Sequence, residues 1–198
     1  MLGSMARPRQ FDADDVVDRS MREFWGRGYR DTSVDDLVAA TGLRPGSLYN
    51  AFPGGKRSLF LKALERYSKL VVPAKLGALE SPDAGLAELR AYFDGLVEDL
   101  LTPEGRMGCL MVNSTIELAA EDSEVGAIVR GHMQRLERNA ETALRNAQRD
   151  GEIPEQIVPR TKATQLMATG MGLMVVGKTD PGRPALETIV DAAFADLH

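Results

Sequence analysis

The sequence predicts an all-α protein, with an N-terminal three-helix unit built on a helix-turn-helix and a larger C-terminal helical domain. Three observations carry this. Apolar residues recur at helical spacing along the whole chain. No alternating runs or hairpin dipeptides mark strands. The stretch TSVDDLVAATGLRPGSLYNAF, Thr32 to Phe52, reads as two short helices joined by a Thr-Gly-Leu turn.

In chain order, Phe11, Val16, Val17, Met21, Phe24 and Trp25 share one helical stripe. Asp12 is a suitable N-cap, and Asp14 and Asp15 follow in the first turn, where the helix dipole favours acids. Gly26 and Gly28 stop that helix. Thr32 or Ser33 caps a second, with Val34, Leu37 and Val38 on its inner side and Gly42 at its end. The third starts at Arg44–Pro45 and ends at Phe52, before Pro53-Gly54-Gly55. A long fourth helix opens near Lys56 and is expected to bend at Pro73. Beyond the ESPD break, helices are predicted over 83–101, 108–120, 123–150, 159–178 and 184–197. The domains implied are 1–10 (a tag remnant and flexible arm), 11–56 (the helix-turn-helix domain) and 57–198 (the helical domain).

Composition narrows the function. With 43% hydrophobic and 27% charged residues, the 198-residue chain is an ordinary globular one, long enough for a proper core. No apolar run reaches the roughly 18 to 20 residues of a membrane helix, and MLGSMARPRQ lacks the apolar heart of a secretory signal. A single cysteine excludes an internal disulfide and suits a reducing cytoplasm. Two histidines, His132 and His198, are too few for a common zinc site or most histidine-based triads, so no cofactor or metal is expected. The net charge of −5 argues against indiscriminate nucleic-acid binding. It is unevenly spread: residues 1–60 are slightly basic and the remainder is acidic.

The third helix is oddly polar for an element so near a core. Leu43, Leu48 and Phe52 can pack inward while Arg44, Ser47, Tyr49 and Asn50 face out. Those outward types suit a major groove: arginine pairs with guanine, asparagine with adenine, and hydroxyls reach bases or phosphates. Gly46 leaves room for a close approach. Solvated arginines and asparagines on a helix pair that never meets DNA would look alike at this level.

The segment TSVDDLVAATGLRPGSLYNAFPGGKRSLF resembles the DNA-binding segment of the tetracycline-repressor (TetR) family of bacterial regulators. The shared marks are Thr32-Ser33, Thr41-Gly42-Leu43, Ser47-Leu48-Tyr49, Phe52 and Lys56, with RPRQFD and GYRDTS as lead-in. They cover about residues 7–65; the rest matches by length and helix order. The resemblance implies that Thr32 or Ser33, Tyr49 and Lys56 hold phosphates. It places Arg44, Pro45, Ser47 and Asn50 at base edges, with Gly46 beside them. Arg7 and Arg9 would form an N-terminal arm, or equally a solvated tail. Two departures stand out: Arg44 replaces a small capping residue, and the PGGK linker is one residue longer than usual.

The resemblance also implies a C-terminal domain for ligand binding and dimerisation. Residues 159–178 are apolar nearly all round, so this helix is expected to be buried on several sides. Gly170 and Gly172 would admit a partner helix, and the terminal helix would complete a four-helix homodimer interface. Otherwise it is simply a central core helix. Tyr92, Phe93, Met107, Cys109, Met111, Asn113 and Met167 are the candidate walls of a pocket for a small, mostly apolar effector; core filler is the plainer reading. Cys109 reads either as an electrophile- or oxidant-sensing thiolate helped by Arg106, or as a small buried hydrophobe.

Together these readings describe a cytoplasmic, homodimeric regulator, usually a repressor, released from palindromic double-stranded DNA by an effector. The alternative is a helical carrier or enzyme with a vestigial helix-turn-helix.

Overall fold

The computed structural model describes residues 12–197. The predicted arm (Arg7, Arg9), the stripe's Phe11 and the terminal His198 lie outside them. Among the described residues the chain is helical throughout, with no strand: α1 Ala13–Arg27, α2 Val34–Thr41, α3 Pro45–Ala51, α4 Gly55–Leu76, α5 Leu86–Leu100, α6 Leu110–Leu118, α7 Ser123–Arg149, α8 Pro159–Val176 and α9 Arg183–Phe194. The chain divides into two compact units between Ala63 and Leu64. That division falls inside α4, because its first turns supply Leu59 and Phe60 to the core of the first unit.

In the first unit, sequence signals and local structure agree closely. Asp12 caps α1, its carboxylate accepting from the Asp14 backbone N–H at 2.9 Å. The helix ends where Gly28 takes a φ of 88°. Ser33, rather than Thr32, caps α2. The Asp36 N–H donates to Ser33 Oγ at 3.1 Å, and the Asp36 carboxylate accepts from the Ser33 N–H at 2.8 Å. The Ser33 hydroxyl, donating to the carboxylate at 2.6 Å, and then the Ser33 N–H, aided by Arg27, hold the Asp36 carboxyl below the usual carboxylate range. Gly42 closes α2 in the left-handed region, and Pro45 opens α3. The core gathers Phe24, Leu37, Leu48, Phe52, Leu59 and Phe60, with Phe24 edge-on to Phe60 at 5.0 Å between centroids.

In the second unit α7 is the spine, packing along α8, α6 and α5, while α9 lies against α5 and α8. Its inner face carries Val125, Val129, Ala140, Ala143, Leu144 and Ala147. Polar groups on the same helix pin the flanking loops. Asn146 Nδ2 donates to the carbonyls of Pro82 and Ala84, and Gln148 Nε2 to that of Ile157 at 2.9 Å. Phe93 meets Phe194 edge-on at 5.3 Å. The Arg183 guanidinium forks onto the Glu98 carboxylate, which lowers the Glu98 pKa. Lys162, almost wholly buried, pairs with Asp196 and so ties the last turn of the chain to α8. The helix α4 continues through Pro73 to Leu76.

The two glycines predicted to admit a partner helix differ. A Cβ at Gly170 would meet Phe93 at 3.7 Å, so this glycine faces α5 of its own domain. Gly172 is open on the outer face.

Candidate functional site

The helix α3 is held by two anchors and offers the rest of its surface to solvent. Leu48 and Phe52 are buried, whereas Arg44, Pro45, Gly46, Ser47, Tyr49 and Asn50 are exposed. Arg44 is the N-cap residue yet makes no side-chain cap bond, so its guanidinium is not engaged at the helix end. A Cβ at Gly46 would meet nothing within 4 Å, so this turn presents bare backbone outward. Tyr49 is 51% exposed and its ring leans on Gly55.

Two expected phosphate holders have other work. Thr32 is fully buried, and its hydroxyl donates to the Gly28 carbonyl at 2.6 Å. Its side chain faces the core, and only the neighbouring Ser33 is exposed. Lys56 is half-buried, with Nζ donating at 2.7 Å to the carbonyls of both Tyr29 and Thr32, and it sits 4.3 Å from the Tyr29 ring centroid. Its ammonium fastens the α1–α2 loop to α4, leaving one N–H for anything else.

Among the predicted pocket residues, the structure brings Tyr92 and Cys109 together with Tyr67, which sequence reasoning missed. The Tyr67 hydroxyl donates to Cys109 Sγ at 3.6 Å. Burial first, and then the Cys109 sulfur, push the Tyr67 hydroxyl well above its ordinary pKa; the same causes raise Tyr92. Arg106, expected to favour a Cys109 thiolate, pairs instead with Asp180 at 2.9 Å. Asn113 is not an open anchor. Its amide donates to the Met107 carbonyl at 2.9 Å and accepts from Lys178 at 2.8 Å. Phe93 and Met111 are sealed in the core, while Met107 and Met167 are half-buried. Tyr67 lies 42 residues from its sulfur partner, so no local pattern marks it.

Residues 16–63 match the model of the TetR family of bacterial regulatory proteins, and residues 85–193 match the tetracycline repressor-like C-terminal domain. The chain belongs to the TetR family. As a TetR-family protein it is a DNA-binding transcription regulator and not an enzyme. It is similar to the HTH-type transcriptional repressor ComR of Escherichia coli, at 31% identity over 98% of this chain and 91% of that one. It is also similar to the uncharacterized regulator YezE of Bacillus subtilis, at 29% identity over 98% of this chain and 100% of that one. Among solved structures, a triple cysteine mutant of the TetR-family regulator CifR, complexed with a 26 bp double-strand operator DNA, superposes with a TM-score of 0.82. That pair shares 27% identity and covers 98% of this chain and 100% of the other. Among the described residues of this TetR-family chain, no helix is long and apolar enough to cross a membrane.

Proposed function

We propose that this TetR-family regulator is a cytoplasmic homodimeric repressor that leaves a palindromic operator when a small, mostly apolar effector enters its second unit. The observation that carries the DNA side is the split character of α3, with Leu48 and Phe52 as anchors and Arg44, Ser47, Tyr49 and Asn50 exposed together. Arg44, Pro45, Ser47 and Asn50 meet base edges in the major groove, with Gly46 giving clearance. Ser33 and Tyr49 hold phosphates and set the register. Lys56 acts mainly through the loop it fastens.

Dimerisation uses the outer face of α8, where Val175 and Val176 stay 45% and 37% exposed beside the open Gly172. Apolar helix faces of this kind are covered by an isologous copy in two-fold dimers. Two recognition helices then reach half-sites one turn of DNA apart. The effector acts by favouring a conformer in which the two α3 helices no longer match successive grooves. The complexed CifR operator structure and the repressor ComR are the relatives that support this reading.

A Val175→Glu substitution tests it. Sedimentation should give a monomer with intact helicity, and operator affinity should fall at least a hundredfold. A dimer that persists, or a monomer that binds DNA as well as the parent, removes the α8 interface from the account.

A further inference from the structure

The first two helices open alike, and the third does not. Asp12 and Ser33 cap α1 and α2 through their side chains, and acids follow in each first turn. Oxygens and acids suit that end of a helix, where the dipole is positive. The helix α3 opens instead on Arg44, which makes no side-chain cap bond, and its first turn holds no acid. A cation there forgoes the cap and meets the dipole with the wrong sign, so nothing local to the fold gains from it.

What the position offers is a prepared and unoccupied fork. Pro45 follows Arg44 and keeps its backbone extended, at φ −74° and ψ 151°. The residue is exposed. Among the described residues no hydrogen bond or ion pair engages its guanidinium. Arg19 and Arg27 of the same unit are, by contrast, answered by Asp15 and Asp36.

The exposed side chains of α3 differ in what they can match. Ser47 and Tyr49 each bring one hydroxyl, and Asn50 an amide that donates and accepts side by side. Of these four residues only Arg44 brings two parallel donors and no acceptor. In the major groove guanine presents two neighbouring acceptors, O6 and N7, whereas adenine sets a donor beside its N7. Asn50 therefore matches adenine, and the Arg44 fork matches guanine.

We infer that each half-site of the operator carries a guanine that Arg44 reads through O6 and N7. The inference rests on reading α3 as the DNA-recognition helix, and it adds the base identity that this reading leaves open.

The test uses the full chain and the duplex it selects from a randomised pool. Each guanine of the half-site is replaced in turn by 7-deazaguanine, which lacks N7, or by inosine, which keeps O6 and N7 and loses only the minor-groove amino group. At one position the parent should bind the 7-deazaguanine duplex about tenfold more weakly, as expected for one lost bond to a charged donor, and the inosine duplex as well as the original. Arg44→Ser gives α3 a favourable cap and should raise the urea midpoint, so a folding artefact is excluded. That variant should bind the guanine and 7-deazaguanine duplexes alike. A parent indifferent to N7, a penalty that survives in Arg44→Ser, or an equal loss with inosine overturns the assignment. A lowered urea midpoint in Arg44→Ser would make the arginine part of the fold and overturn it as well. An inverted repeat without such a guanine sinks the inference and leaves the dimeric reading standing; a pool that enriches nothing removes both.

Discussion

The ring of Tyr49 lies so close over Gly55 that a Cβ on that glycine would stand 2.7 Å from Tyr49 Cε1. Gly55 also has a φ of 64°, in the left-handed region that other residues adopt at a cost of about 1 kcal/mol. The linker glycine therefore sets where the recognition-helix tyrosine rests.

Gly55→Ala should then move Tyr49 and strain the turn together. The expected outcome is a loss of about 1–2 kcal/mol in urea unfolding and a tenfold or larger loss of operator affinity. Tyr49→Ala should lose operator affinity with little change in stability, because that ring is half exposed. Equal stability loss in both variants would contradict the relationship.

Lys56 gives a sharper separation between structure and contact. Lys56→Met removes a charged donor from two backbone carbonyls and should cost about 2 kcal/mol of stability. A phosphate contact contributes close to one unit to the slope of log affinity against log salt. Because the ammonium is occupied by Tyr29 and Thr32, that slope should change by much less than one. A full unit lost would restore Lys56 to the phosphate.

His132 predicts a pH dependence. Its folded pKa, about 4, lies below the ordinary 6.5, so acid protonates the unfolded chain first. Stability from this group is whole above pH 6.5 and declines as pH falls toward 4, by roughly 3 kcal/mol in all. Denaturant unfolding of the parent and His132→Leu across that range should show the parent losing stability relative to the variant. Parallel curves would mean that the imidazole titrates normally.

Much of the first unit was legible because its signals are local. Asp12, Gly42 and Pro45 act within a few residues of themselves, and the structure uses them as caps, stop and start. The side chains of Thr32 and Lys56 bond to carbonyls across a turn and across 24 and 27 residues of chain, and their own stretches of sequence do not show those partners. The second unit was harder for the same reason. The Asn113 oxygen is taken by Lys178, 65 residues away.

The central claim, that α3 reads DNA as one half of a two-fold pair, is tested most directly by selecting duplexes from a randomised pool at near-physiological salt. The account predicts an inverted repeat with half-sites one helical turn apart, and loss of that selectivity in Arg44→Ala and Asn50→Ala, whose fold should be unchanged. A folded, dimeric protein that enriches no sequence, or whose selectivity survives both substitutions, would contradict it.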